Sequence, residues 1–80
     1  MINTTYPTMR LQGIGMVLAS QAKEIRPGDT LMWNFGEKSK VDDIIHETPK
    51  FITIKCGKFE RRLKKDRAVC NLRINSERKP

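Results

Sequence analysis

"LQGIGMVLASQAKEIRPGD", residues 11–29, is the stretch on which the choice of fold turns. Leu11, Ile14, Leu18, Ala22 and Ile25 recur three or four apart, the spacing that lines one face of a helix, and Pro27 with Gly28 ends the pattern. Thr8 stands where an N-cap belongs. Gly13 and Gly15 each weaken a helix by about 1 kcal/mol relative to alanine, so the helix is expected at its most regular over Met16 to Glu24. Ahead of it, residues 1–8 are polar and contain a proline, and are expected to form a flexible lead.

Beyond "RPGD" the apolar period shortens to two. Leu31, Trp33 and Phe35 share one face of "TLMWNF", which predicts a first strand over 30–35. "KVDDIIHE" predicts a second strand, and the uneven placing of Val41, Ile44 and Ile45 predicts a bulge or sharp bend within it. "FITIK" and "KFERRL", joined across "CGK", form a hairpin of strands three and four, with Ile52, Ile54, Phe59 and Leu63 facing in. "AVCNLRI" alternates again and predicts a fifth strand, Ala68, Cys70, Leu72 and Ile74 on one side and Val69, Asn71 and Arg73 on the other. Residues 76–80 are left as a tail.

Five short strands after one helix are too little sheet for a sandwich and enough for a small closed barrel, which also removes exposed strand edges. The expected fold class is therefore mainly β (α+β), an N-terminal helix capping a five-stranded barrel, with a single domain over 9–75. The series "PGDTLMWNFG", "KV", a hairpin and the "KKDR" turn resembles an SH3-like barrel. The order of "PGD", "WNFG", "VDDI" and "RRLKKDR" more specifically resembles small uncharacterised proteins of bacteriophages and prophages. That resemblance implies a fold and carries no established activity.

A chain of 80 residues buries only about 60% of its unfolded surface, which argues against a large catalytic cleft. No apolar run approaches the roughly 20 residues that span a bilayer, and "MINTTYPTMR" lacks the basic start and apolar run of a signal peptide. The protein is expected to be cytoplasmic and without a membrane partner. Cys56 and Cys70 lack CxxC spacing and fit idle thiols in a reducing compartment. With His46 the only histidine, a zinc site is short of ligands.

The charge is lopsided. Residues 1–54 carry six basic and six acidic side chains, so the whole net charge of +7 lies in residues 55–80. Lys58, Arg61, Arg62, Lys64, Lys65 and Arg67 crowd into "KFERRLKKDR" and are the candidate contacts to a phosphate backbone. Lys58, Arg62 and Lys64 fall on the solvent side of strand four. The parity of Arg61 points it inward, so either a bulge turns it out or its stem runs along the barrel rim with its head in water. Trp33 is expected in the core, and Phe51, out of phase with Ile52 and Ile54, is the candidate exposed ring for stacking a base.

Catalytic constellations are missing. Asp42, Asp43, His46 and Glu47 cluster in sequence, but neighbours on a strand point to opposite sides, so they read as a polar strand face. Ser20, Ser39 and Ser76 have no base beside them, and Gly13 and Gly15 lack the preceding strand of a dinucleotide loop. The expectation is a non-catalytic module without cofactor that binds DNA or RNA. The alternative is an adaptor docking on an acidic host or phage protein, acting as a monomer or as a homodimer through the glycine-bearing helix.

Overall fold

Alternation, rather than a helical stripe, organises the N-terminal third of the chain. In the computed structural model, which describes residues 6–78, β1 (Thr8–Leu11) and β2 (Gly15–Leu18) form an antiparallel hairpin with Thr8 opposite Leu18 and Leu11 opposite Gly15. The expected N-terminal helix is absent among the described residues. The reason lies in the two glycines. Gly13 and Gly15 hold φ of 77° and 109°, values foreign to a helix, and they turn the chain back at the point where the apolar spacing suggested continuity. Ala22 and Ile25 do reach the core, but through one 3-10 turn at Ala22–Glu24, clamped where the Gln21 N–H donates to the Glu24 carboxylate at 3.0 Å.

The remaining strands are β3 (Ser20–Gln21), β4 (Thr30–Met32), β5 (Lys38–Lys40), β6 (Asp43–Glu47), β7 (Phe51–Cys56), β8 (Phe59–Lys64) and β9 (Ala68–Asn71). They make three sheets: β1-β2, β3-β9-β4-β5 and β6-β7-β8. The five-stranded closed barrel is thus also corrected, since no closed barrel forms among the described residues. The chain crosses between the two larger sheets at Val41 and Asp42. The Val41 N–H donates to Asp29 O at 2.7 Å on one side, and the Asp42 N–H to Lys55 O at 2.7 Å on the other. The chain crosses a second time between β8 and β9, where the 3-10 turn braces it through Ala22 N–H to Arg67 O (2.9 Å) and Lys23 N–H to Lys65 O (3.0 Å), bonds that land beyond β8. Among the described residues the outer edge of β8 stays unpaired. Ring closure there would bury Arg61, at an inward-parity position, without a counter-charge, a cost of several kcal/mol.

Ala22, Ile25, Leu31, Val41, Ile52, Ile54, Leu63 and Val69 form the core, with Trp33, Ile44 and Cys56 packed against it. The β7–β8 hairpin expected from "FITIKCGKFERRL" is present, with Ile52 opposite Leu63 and Cys56 opposite Phe59. The irregularity expected in "KVDDIIHE" is present too, as a register shift between Ile44 and His46 in the β6–β7 ladder.

The expected fifth strand ends early. β9 stops at Asn71, whose side-chain oxygen accepts from the Arg73 and Ile74 N–H groups at 3.1 and 3.4 Å and starts α1 (Leu72–Glu77). β9 is covered on both faces, Val69 joining the core and Cys70 lying against Asn75 of α1, so Val69, Cys70 and Asn71 are all buried and the expected in-and-out alternation fails. Asp29, itself buried, accepts from Asn71 Nδ2 and the Arg26 N–H, both at 2.8 Å, and from the Arg73 guanidinium. Burial by itself would raise the Asp29 pKa, but these hydrogen bonds and the Arg73 charge outweigh it and hold the carboxyl below its ordinary value.

Of the expected lead and tail, residues 1–5 and 79–80 lie outside the described residues. The nearer parts are structured. Pro7 O accepts from the Ala19 N–H at 2.8 Å, Ser76 and Glu77 belong to α1, and Arg78 donates to Ala19 O at 2.6 Å and lies over the Tyr6 ring.

Candidate nucleic-acid interface

The gap left by the open β8 edge is a groove of about 470 Å³ between β8, β9, β1 and the turn after β4. Its floor is Trp33, half-buried, with its indole N–H donating to Ser39 Oγ at 3.0 Å. Arg61 reaches in from β8 and Arg67 from the turn before β9, their guanidinium carbons 4.3 and 5.8 Å from the Trp33 ring centroid. Arg10 and Glu37 complete the charged lining. Neither Arg61 nor Arg67 meets a carboxylate among the described residues, whose ion pairs are Lys65–Glu47, Arg73–Asp29 and Arg73–Glu77. Arg61 needs no bulge, since β8 runs in unbroken register with β7 and its side chain lies along the rim over Trp33.

Phe35 forms the lip of this groove, 71% exposed. Its backbone is left-handed (φ 63°, ψ 18°), a conformation that costs a non-glycine residue about 1–3 kcal/mol. Two loops hold it there. The Phe35 N–H donates to Gln12 O at 2.6 Å, the Gln12 N–H donates to the Asn34 side chain at 3.0 Å, and the ring lies on Gly13, where a Cβ would stand 2.7 Å from Cδ1. Gly13 and Gly15, expected in a helix open to the approach of another copy, instead build the turn that seats Phe35, and the basis for a helix-mediated homodimer disappears. Phe35 and Phe59, expected to face the core, are both exposed, Phe59 at 78% where β8 begins beside the β7–β8 turn.

The six nominated cations are therefore not one patch. Arg61 and Arg67 share the Trp33 groove. Arg62 points to the opposite face of β8, where its guanidinium carbon lies 3.9 Å from the centroid of the Phe51 ring. Phe51 is half-buried beneath it rather than free. Lys64 borders the same hollow, Lys58 sits at the tip of the β7–β8 turn, and Lys65 is engaged with Glu47 at 2.6 Å. Arg10, Trp33 and Phe35 were not among the nominated contacts, because nothing in their local sequence places them beside "RRLKKDR".

Asp42, Asp43 and Glu47 have structural partners: the Gly57 N–H at 2.6 Å, the Ile44 N–H at 2.8 Å and Lys65. Burial raises the thiol pKa of both Cys56 and Cys70. No helix among the described residues is long and apolar enough to cross a membrane. No protein-family model, curated protein or solved structure matches this chain, and the functional reading rests on its own residues.

Proposed function

We propose that this protein is a small non-catalytic module that binds nucleic acid along the Trp33 groove. Arg10, Arg61 and Arg67 take phosphates, and Phe35 offers its ring to an unstacked base. The observation that carries the reading is the convergence of Arg61 and Arg67, neither in an ion pair among the described residues, on an aromatic floor beside an exposed Phe35. Cationic grooves with exposed rings suit single strands, because each base has a face to stack and each phosphate releases a counterion when neutralised. The left-handed Phe35 supports the same reading. A left-handed backbone at an exposed phenylalanine costs stability, and strain of this kind concentrates where a side chain must be presented.

Trp33 is the only tryptophan, so its fluorescence reports on the groove directly. Labelled single strands should bind at about 50 mM salt, quench Trp33 and weaken steeply by about 200 mM. Arg61→Gln and Arg67→Gln should each flatten the salt dependence by about 0.7 in log–log slope, equally for unrelated sequences. Absence of binding at the lower salt, or variants that bind like the parent, would reject the groove.

An adaptor for an acidic protein is the second reading. It is favoured by Ile14 and Met16, 47% and 66% exposed on the hairpin beside Phe35. Failure of every oligonucleotide at low salt would make it the reading to pursue.

A further inference from the structure

Consecutive residues of a strand point to opposite faces, and in β8 both Arg61 and Arg62 end on an aromatic ring, one on each face. Around the second ring, Lys50, Phe51 and Lys64 line a shallow hollow of about 340 Å³, which Pro49, Lys65 and one carboxylate, Asp66, complete, leaving cations in excess. Arg62, Lys50 and Lys64 meet no carboxylate among the described residues. Between the two faces runs the edge of β8, unpaired among the described residues. Cys56 and Phe59 flank a two-residue turn, so Phe59, Arg61 and Leu63 spend their backbone groups on β7, and those of Glu60 and Arg62 point outward.

Resting on the nucleic-acid reading above, we infer that a bound single strand crosses the free edge of β8 and occupies a second station at Phe51 and Arg62, on the face opposite the Trp33 groove. The outward Arg62 N–H meets the phosphate at the crossing, Lys50 and Lys64 hold those beyond it, and a base packs against the Phe51–Arg62 pair. Only a flexible single strand can follow this path. Duplex DNA, with a persistence length of about 150 base pairs, does not fold around one strand edge. A second copy of the chain is disfavoured at the same edge, since pairing β8 with itself would bring Arg61, Arg62 and Lys64 of both copies together against Glu60 alone.

The test compares oligothymidylates of about 4 and about 12 nucleotides, lengths within the range of site sizes of single-strand-binding domains. The short probe fills one station and the long one reaches both. Phe51→Ala and, as a surface variant that leaves the packing intact, Arg62→Gln should weaken the 12-mer by about 5- to 100-fold and the 4-mer by no more than about twofold. If both variants bind the 12-mer like the parent while Arg61→Gln still weakens it, the strand stays in the groove and the crossing is wrong. If neither length binds the parent, the nucleic-acid reading itself falls. A dimer of the free protein that Arg62→Glu dissociates would assign the edge to a second copy and overturn the crossing as well.

Discussion

Replacing Arg73 by Met withdraws the cation from Asp29, whose side chain is only 1% exposed, and leaves the carboxylate with the Asn71 amide and the Arg26 N–H. Breaking a fully buried pair from one side costs about 3–5 kcal/mol. Here Arg73 keeps 32% of its side chain in water and Asp29 keeps two donors, so screening and the remaining hydrogen bonds reduce the expected loss to about 2 kcal/mol. For a chain of this size that is a fall of about 8–16 °C in Tm. A double-mutant cycle with Asp29→Asn should return a coupling of about 1–2 kcal/mol. The pH dependence has a definite sign. Asp29 sits below its ordinary value of 3.8 in the folded chain, so its contribution is complete above that pH. It fades as pH falls through the lower folded value, because the unfolded chain takes up the proton first. The gap between parent and Asp29→Asn, followed by thermal melts, should therefore be widest near about pH 7 and shrink toward about pH 3. A coupling below about 0.5 kcal/mol, or a gap indifferent to pH, would refute the account of Asp29 as the tie between the "PGD" turn and α1.

Two further expectations concern the lip of the groove. Phe35→Asn, which suits the left-handed backbone, should raise stability by about 1 kcal/mol in thermal melts while weakening single-strand binding by about 5- to 100-fold; undiminished affinity would remove Phe35 from the interface. Gly13→Ala places a Cβ against Phe35 Cδ1 at a φ of 77° and should lower stability by about 1–3 kcal/mol, whereas an unchanged Tm would show that the two loops do not depend on this contact.

Part of this architecture is legible in short windows of sequence. The alternation of "FITIK" and "KFERRL" across "CGK" specifies the β7–β8 hairpin, because both partners and the turn lie within fourteen residues, Phe51 to Lys64. The uneven apolar pattern around Ile44 and Ile45 likewise marks the register shift in β6. The same windows misread residues 11–25, where a spacing of three and four is equally compatible with a hairpin whose turn falls on two glycines. Sequence period reports which residues want burial, and the backbone conformation at Gly13 and Gly15 decides how they reach it.

The concentration of positive charge in residues 55–80, the β7–β8 hairpin and the turn at "KKDR" were determined by the sequence alone, since each depends on composition or on neighbours a few residues apart. Tertiary structure decided everything that depends on distant partners. Asn71, the local cap that ends β9, is also fixed to Asp29, 42 residues away. Phe35 turns outward because Gln12, from another loop, holds its N–H. Arg61 and Arg67 meet over one ring, and Arg62 over another, because Trp33 and Phe51 lie on opposite faces of β8. Side-chain alternation sends neighbouring arginines apart, and only the packing of the sheets determines which ring each of them meets.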